Sequence, residues 1–566
     1  MFKKNTKHLQ PALISAASEL PEKQLKLLKG SWADTFYHEF FCRIKEESFA
    51  TLYSNEPSRP NVPVNVMVGL EVLKAGFGWS DAELYENFCF NLQVRYALGY
   101  DRLGDGDFAI RTLYHFRERL SKYNIKKGLN LLEQAFEQIT DAQIADLKVR
   151  TGIQRMDSTQ IASNIVGASR LRLLVATVQR IHRILSEVDQ ARLAENFEPY
   201  LKGTAGHYTY RVKGKEANQE HLQQVGTTIH TLLVELKEAY AKEKTYQVLK
   251  RIFAEHYNLI AQSNDVYPKE NQELSSGSLQ SVDDLEASYR TKGNHHYKGY
   301  VANITETCDP KNDIQLITKV QVAPNNTDDT QLLAEALPNL QERTDLDTLM
   351  TDGGYGSEAS DAALEGQAVK VIQTAIRGPK PDPHKFHLAD FDIQLDQQGN
   401  PSNITCPHGQ NVPITSARTT GLQARFDPDI CSICPFQTDE RCRAKPQKRD
   451  QRYLLAFTIK EVRAAQRRKD FLRHKDSGQN LRAAVEATMR SIKHPFPAGK
   501  LPVRGQFRMT SMIIASAIHV NVRRIWRYRV DQALLLFSAV RKLVITAQSQ
   551  LLSLRSCRVV LYISLK

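Results

Sequence analysis

The residues of this chain whose types and spacing could do chemistry lie in the stretch LRAAVEATMRSIK, residues 481–493. A helix here would place four charged side chains on one narrow stripe, because they follow each other at intervals of four, four and three residues: Arg482, Glu486, Arg490 and Lys493. A second stripe could face a core, and it consists of Leu481, Val485, Thr488 and Ile492. The pattern predicts a helix that presents one carboxylate among three cations in a single direction.

Two interpretations of this charged stripe are open. It could be a solvated helix face, on which ion pairs one turn apart contribute about 0.3–0.5 kcal/mol each. It could also be a metal-binding carboxylate flanked by cations that bind phosphates. The second interpretation requires further carboxylates elsewhere in the chain.

Two aspartates are candidates for those further carboxylates. Asp157 ends a short predicted strand that begins at Gly152, and Asp352 follows a predicted strand over 346–350. Open α/β sheets place their sites at the carboxyl ends of strands, and the glycines of TDGGYG beside Asp352 would let a backbone or a phosphate approach closely. An isolated strand-end aspartate can also be a helix cap or a turn residue.

Held together, Asp157, Asp352 and Glu486 could bind two divalent cations, Mg²⁺ or Mn²⁺. Two such ions about 3.5–4 Å apart can activate a water or a 3′-hydroxyl and stabilise the leaving oxygen of a phosphodiester. Mg²⁺ suits this chemistry because it takes few carboxylates and keeps positions for water and phosphate oxygens. The cations of the helix stripe would offset phosphate charge, with arginine available for bidentate contacts.

Positive charge is concentrated in one part of the chain. From Arg441 to Arg529 there are 23 Lys and Arg against 5 Asp and Glu, an excess of +18 that is larger than the +13 of all 566 residues. Such a field favours a polyanion, of which nucleic acid is the commonest. A membrane surface would require a basic helix with a bulky apolar face, which the basic stretch 460–475 lacks. We therefore expect DNA contacts here, and add Arg504 and Arg508 to those of the helix stripe.

The amino-terminal residues, MFKKNTKHLQ, lack the apolar segment of a signal peptide, and no run approaches the roughly 18 apolar residues of a membrane span. We expect an intracellular protein whose eight cysteines are thiols or metal ligands rather than disulfides. A C-x-x-C pair with two more cysteines nearby suits a tetrahedral zinc site, with His408 as an alternative ligand. A redox pair or unrelated thiols are the other interpretations of this set: Cys406, Cys431, Cys434 and Cys442.

The remaining patterns predict a mixed sheet with helices, an α/β layer architecture. Residues 1 to about 125 are predicted to be helical, with a capping box at Ser80–Glu83 and a basic helix over 110–120 that suits either a helix-turn-helix DNA reader or a small bundle. After them come, in order, a strand at 152–157, helices over 165–282, a hairpin over 297–324, a helix at 330–340, strands at 346–350 and 369–376, and an irregular segment over 378–452.

Over roughly residues 35–530 the chain resembles the DDE transposases of bacterial insertion sequences, and among them most closely the IS eleven-eighty-two-like group. The most specific part of the resemblance is the family motif Tyr-x₂-Arg-x₃-Glu-x₆-Lys. Arg482, Glu486 and Lys493 match it at the right spacing, while Gln479 stands at the Tyr position. By the same resemblance, RMDST supplies Asp157 as the first aspartate and TDGGYG supplies Asp352 as the second.

The resemblance implies a multi-domain α/β chain with an RNase H-like mixed sheet, helical insertions and an all-α amino-terminal domain. It implies Mg²⁺-dependent cleavage at terminal inverted repeats and strand transfer into target DNA, by a cytoplasmic, nucleoid-associated homodimer that binds double-stranded DNA and no membrane. The implied divisions are a DNA-binding domain at 1–145, a core at 146–164 and 283–378, a helical insertion at 165–282, a zinc-binding insertion at 379–452, core helices at 453–530 and a tail at 531–566.

Two other functions fit the same residues. A catalytically inactive, transposase-derived protein would keep the fold and a zinc-containing DNA-binding role without cleavage. A stand-alone RNase H-like nuclease would cleave without joining strands, but the amino-terminal helices and the basic carboxyl region favour a large, specific DNA footprint.

Overall fold

The structure is a computed structural model. It describes residues 1–563 apart from 11–14, 55, 101, 103, 166, 202, 212–213, 261–264, 365–366, 376–381, 397–398, 418–420, 449–450, 477–480 and 482.

The amino-terminal part of the chain folds as helices, as the sequence predicts. The Ser80 hydroxyl accepts from the Glu83 amide and the Glu83 carboxylate accepts from the Ser80 amide, so the predicted capping box forms. The basic helix predicted over 110–120 is longer than expected, because it continues until Gly128 closes it at a φ of 69°. These helices are α1 (Glu22–Lys29), α2 (Trp32–Glu39), α3 (Val64–Phe77), α4 (Asp81–Phe90), α5 (Leu92–Ala97), α6 (Arg111–Lys127) and α7 (Leu131–Asp146).

Strand β1 (Ile153–Ile161) is followed by the helices predicted over 165–282, which enclose a core of their own. A short antiparallel hairpin, not expected from the sequence, closes this unit. Its elements are α8 (Arg170–Ile184), α9 (Glu187–Arg192), α10 (Ala194–Phe197), α11 (Ala205–Tyr210), α12 (Lys215–Glu235), α13 (Lys237–Tyr240), α14 (Lys244–His256), β2 (Tyr257–Ile260) and β3 (Asp265–Pro268).

A mixed sheet forms around β1 from elements that follow in the chain: β4 (Ser288–Lys292), β5 (His295–Thr307), β6 (Ile317–Pro324), α15 (Asp329–Arg343), β7 (Thr348–Thr351), α16 (Glu358–Leu364) and β8 (Lys370–Gln373). The strand order is β6-β5-β1-β7-β8, and β4 pairs with the first part of β5. The pairs β6–β5 and β5–β1 are antiparallel, whereas the pairs β1–β7 and β7–β8 are parallel.

The prediction that β1 ends at Asp157 is wrong. Parallel pairing of β1 with β7 stops at Arg155, but antiparallel pairing with the long strand β5 continues from Gln154 to Ile161. Asp157 therefore lies within β1, just beyond the end of the strand's parallel partner.

Helices cover both faces of this sheet. Met156 of β1 is fully buried against Leu333 and Leu337 of α15 on one face. On the other face, apolar residues of β1, β5 and β6 share a continuous core with the amino-terminal helices and with the helices at the carboxyl end.

The segment predicted to be irregular over 378–452 contains a second, antiparallel sheet. Each strand contributes few buried apolar residues, among them Ile404, Phe426 and Leu455, so the alternation is too short to predict from sequence. The elements are β9 (Asp392–Leu395), β10 (Pro401–Thr405), β11 (Asn411–Ser416), β12 (Leu422–Phe426), α17 (Pro428–Ser432), α18 (Pro435–Thr438), β13 (Lys445–Pro446) and β14 (Tyr453–Phe457).

Three helices follow: α19 (Ile459–Asp476), α20 (Ala483–Lys493) and α21 (Gln506–Ile563). Three members of the predicted apolar stripe, Val485, Thr488 and Ile492, are at most 1% exposed, and Glu486 and Arg490 of the charged stripe are exposed. Arg482 of the charged stripe lies outside the described residues. Helix α21 runs without a break to Ile563, because no proline or glycine interrupts it. None of the helices among the described residues is long and apolar enough to cross a membrane.

The first part of α21 is the central helix of the shared core, and this leads to a test of stability. Ile513 is fully buried there, so Ile513→Ala should lower the free energy of unfolding by about 2–5 kcal/mol through lost burial and a residual cavity. Leu536→Ala, on the same helix but 67% exposed, should change it by less than about 0.5 kcal/mol. Urea unfolding followed by circular dichroism measures both, and equal effects would contradict this packing.

Candidate active site

A pocket of about 590 Å³ lies between β1, the turn after β7, and α20. The structure brings the three predicted carboxylates to this pocket, although they come from distant parts of the chain. The charged residues that line it are Asp157, Asp352, Glu486, Arg490, Lys493 and Lys292, the last being the final residue of β4.

Helix α20 lies across one face of β1, fixed at both ends. Arg155, Asp157 and Thr159 alternate along the strand and so share this face. The Arg155 guanidinium donates to the carbonyl of Leu481 at 2.5 Å, and Nζ of Lys493 donates to Oγ1 of Thr159 at 2.7 Å. Asp157 lies between the two contact residues on this face and lines the same pocket as Glu486, which is in the first turn of α20.

Asp352 begins a single turn of 3₁₀ helix over Gly353–Tyr355, and its Oδ1 accepts from the amide of Gly354 at 2.7 Å. A Cβ at Gly354 would lie 2.9 Å from this oxygen and 3.0 Å from Oδ2 of Asp329. The sequence predicts that the glycines let a backbone or a phosphate approach. In the structure the groups that approach Gly354 are the carboxylates of Asp352 and Asp329. At Gly356 a Cβ would lie 1.8 Å from Nε2 of Gln373, so a larger residue there would require the Gln373 side chain to move.

Asp329, which the sequence analysis missed, is a fourth acid beside these residues. It is 8% exposed at the first turn of α15, and its Oδ1 accepts from the hydroxyl of Ser158, the neighbour of Asp157, at 2.7 Å. Arg290 lies 3.6 Å from its Oδ2. In the sequence, Asp329 is simply an acid in the first turn of a helix. Many such acids only stabilise the amino terminus of a helix, so the sequence alone does not mark Asp329 as part of a site.

The phenol of Tyr355 lies in the negative field of the nearby aspartates. Its ring is fully buried, and its hydroxyl donates to Oδ1 of Asn303 at 2.6 Å. Burial holds the pKa of the Tyr355 phenol well above its ordinary value, and the carboxylates of Asp329, Asp157 and Asp352 raise it further. Tyr355 thus remains a neutral hydrogen-bond donor beneath the carboxylates.

Lys493 is the cation of α20 most closely integrated into the pocket wall. Its side chain is half-buried, and this burial lowers its pKa from the ordinary lysine value. Arg490, one turn earlier, is exposed at the pocket rim. A phosphate entering the pocket would meet both cations.

The other cations predicted to bind DNA are not brought to this pocket. Arg482 lies outside the described residues. Arg504 and Arg508 line a separate pocket of about 390 Å³ against the amino-terminal helices. Arg504 already donates to the carbonyl of Asn164 at 2.6 Å and lies 3.4 Å from Asp283, so part of its binding capacity is used within the protein.

The four cysteines predicted to bind zinc line a narrow cavity in the second sheet. Burial raises the pKa of Cys431 to about 11 and also raises that of Cys442, which favours neutral thiols. Over the part of the chain that the structure describes, no three His, Cys, Asp or Glu side chains form a group that could hold a metal ion. The predicted zinc set, Cys406, Cys431, Cys434 and Cys442, is therefore gathered in one place without a metal-ligand arrangement.

Two family models match parts of the chain. Residues 33–119 match one described as a transposase domain (DUF772), and residues 405–526, which include Glu486, match one described as a transposase DDE domain. No curated protein and no solved structure matches the chain. A DDE domain implies an enzyme of the polynucleotidyl-transferase type, which acts on DNA. With an amino-terminal and a carboxyl-terminal segment both matching transposase models, the comparisons support a DDE-type transposase.

Proposed function

We propose that this chain is a DNA transposase that hydrolyses a phosphodiester at the end of an insertion sequence and then joins the freed 3′-hydroxyl to target DNA. The observation that carries the proposal is the convergence of Asp157, Asp352 and Glu486 on one pocket, beside Arg490 and Lys493. An ordinary solvated helix face would not require two aspartates from the sheet to lie opposite its glutamate.

We further propose that the sheet is the RNase H-like core implied by the sequence resemblance. The order β6-β5-β1-β7-β8, with an antiparallel half, a parallel half and helices on both faces, supports this assignment. The domain divisions expected from the resemblance are kept as part of the proposal, with one adjustment: the second sheet extends to Phe457, beyond the boundary expected at 452.

The donor set suits Mg²⁺ or Mn²⁺, which prefer carboxylate oxygens. Asp157, Asp352 and Glu486 would hold the cations. Asp329, which is bonded to the neighbour of Asp157, would add negative charge close to them. When bound, such ions supply an activated water or 3′-hydroxyl and stabilise the leaving oxygen. Since no ligating group of three acids is formed among the described residues, binding would require these side chains to move toward one another within the pocket.

The protein's own cations would bind and orient the DNA. Arg490 at the pocket rim can contact a phosphate through two parallel hydrogen bonds. Lys493, held to Thr159, would place a positive charge beside Asp157 and so offset repulsion between the carboxylates and the phosphodiester. The partner is double-stranded DNA, both inverted repeats and target, and we propose that a cytoplasmic homodimer associated with the nucleoid binds it.

The first test of this function replaces the three carboxylates one at a time. Glu486→Gln, Asp157→Asn and Asp352→Asn keep side-chain size but remove the charge that would hold a divalent cation, so each should lower Mg²⁺-dependent cleavage by orders of magnitude. Any two together should cost little more than one, because the carboxylates act as a unit. The assay uses end-labelled DNA that carries the inverted repeats flanking the coding sequence.

Binding of the same DNA without metal separates the enzyme from the inactive alternative. On the proposed function, binding survives in all three variants or becomes tighter, because a negative charge near phosphate has been removed. A wild-type chain that binds DNA but shows no cleavage with Mg²⁺ or Mn²⁺ would favour the inactive DNA-binding protein. Cleavage without strand joining would favour the nuclease.

The second test concerns the phosphate contacts. Arg490→Ala should weaken binding equally on DNA with and without element ends, and should reduce the slope of log affinity against log salt by about one unit. The matched control is Arg183→Ala, an exposed arginine on α8 that does not line the pocket. If Arg490→Ala changed the sequence preference and left the salt slope intact, Arg490 would contact bases rather than phosphates.

Zinc binding stays a prediction from the cysteine spacing. If the four cysteines bind zinc, the purified chain should contain about one zinc per molecule, and Cys434→Ser should release it and expose residues 400–445 to protease. Metal analysis by mass spectrometry and limited proteolysis provide the measurements. A fully folded wild-type chain free of zinc would exclude a structural zinc site.

A further inference from the structure

A fully buried carboxylate connects the elements that surround the pocket. Glu306 of β5 has no exposed surface, and its Oε1 accepts from Nε of Arg155 at 2.7 Å. Its Oε2 lies 2.8 Å from Nη1 of Arg524 on α21. The hydroxyl of Thr488 on α20 lies 3.0 Å from Oε1 and 2.8 Å from Oε2. One side chain of the sheet thus bonds to β1, α20 and α21.

Two partners of Glu306, Arg155 and Thr488, are placed to affect the position of Glu486. Arg155 stands opposite Glu306 in the strand pairing and two residues before Asp157 on the same face of β1. Thr488 follows Glu486 by two residues, which places it about 200° around the helix. Thr488 is therefore on the buried side of α20 when Glu486 faces the pocket. Fixing Thr488 therefore fixes the rotation of the helix.

The same network also fixes the axial position of α20. Arg155 uses one nitrogen for Glu306 and another for the carbonyl of Leu481, at the amino-terminal end of the helix. A slip of the helix by one residue would rotate it by about 100° and break these bonds while turning Glu486 away from Asp157. Such a slip would also leave the Glu306 charge buried with fewer partners, which is strongly unfavourable.

We propose that Glu306 is a positioning residue for the reaction: through Thr488 and Arg155 it holds α20 in the rotation and register that aim Glu486 at the two aspartates. This inference rests on the proposed function, and it adds a residue that touches neither metal nor DNA. Thr488 is its point of action on α20. The Thr488 hydroxyl also accepts from Arg524, which links α20 to α21 at the same point.

The test compares variants of Thr488, which should fold, with a variant of Glu306 itself. Thr488→Val keeps shape but removes the hydroxyl, whereas Thr488→Ser keeps the hydroxyl. We expect Thr488→Val to raise the Mg²⁺ concentration for half-maximal cleavage about tenfold or more, the effect of losing hydrogen bonds to the charged Glu306 and Arg524. Thr488→Ser should stay near wild type. Glu306→Gln should raise it further, with metal-free DNA binding unchanged.

A matched control separates positioning from stability. Glu137 of α7 is also mostly buried and also paired with two cations, Lys319 at 2.6 Å and Arg343 at 3.3 Å, but neither it nor its partners line the pocket. Glu137→Gln should lower the melting temperature as Glu306→Gln does, yet leave the Mg²⁺ dependence at the wild-type value. If Glu306→Gln and Thr488→Val also kept that value, Glu306 would be a purely structural residue and the inference would be wrong.

Direct Mn²⁺ binding, followed by electron paramagnetic resonance without DNA, distinguishes this inference from the proposed function. A wild-type chain that binds Mn²⁺ but cleaves no DNA would contradict the proposed function, while weaker Mn²⁺ binding by Thr488→Val would still support positioning. A wild-type chain that binds no Mn²⁺ would contradict both. Equal Mn²⁺ affinity in wild type, Thr488→Val and Glu306→Gln would overturn the positioning role alone.

Discussion

The ion pairs of Glu306 inside the protein constrain the geometry of the whole pocket. A carboxylate without exposed surface is stable only when charged or polar groups compensate it, and removing one partner of such a pair costs about 3–5 kcal/mol. Here the compensating groups come from β1, α20 and α21, so the buried charge can be satisfied only when all three elements are in place. The sheet that carries Asp157 and the helix that carries Glu486 are thereby held in one relative arrangement.

The apolar core extends this constraint to the amino-terminal helices. One continuous cluster is shared by the buried face of α20, α21 as far as Val522, one face of the sheet and helices α2 to α7. Polar contacts add to it, since Trp526 donates to the carbonyl of Gly30 at 2.8 Å and Arg529 pairs with Glu39. A DNA segment bound to the amino-terminal helices would therefore be held on a scaffold continuous with the pocket, which is what coupling of end recognition to cleavage requires.

The parts of the site that were predictable from sequence are those with a local pattern. The two stripes of α20 follow from helical periodicity alone, and Asp352 follows from a strand end beside glycines. Asp157 was identified as a candidate, but its strand was ended too early because the pairing that prolongs β1 comes from β5, more than 130 residues away in the chain. Glu306 and Asp329 were missed for the same reason: a glutamate in a strand or an acid at a helix start gains its meaning from partners that no local pattern contains. The second sheet was missed for a different reason, since each of its strands contributes too few buried apolar residues to show an alternation.

The central claim is that Asp157, Asp352 and Glu486 together hold a divalent cation, and iron-directed cleavage of the protein backbone tests it without knowledge of the DNA substrate. Fe²⁺ replaces Mg²⁺, and ascorbate with peroxide generates hydroxyl radicals at the bound ion. The account predicts cuts close to 157, 352 and 486 in the same preparation, suppressed by excess Mg²⁺ and absent in Glu486→Gln. Cuts at one of these segments alone, or the same three cuts in Glu486→Gln, would contradict a shared site.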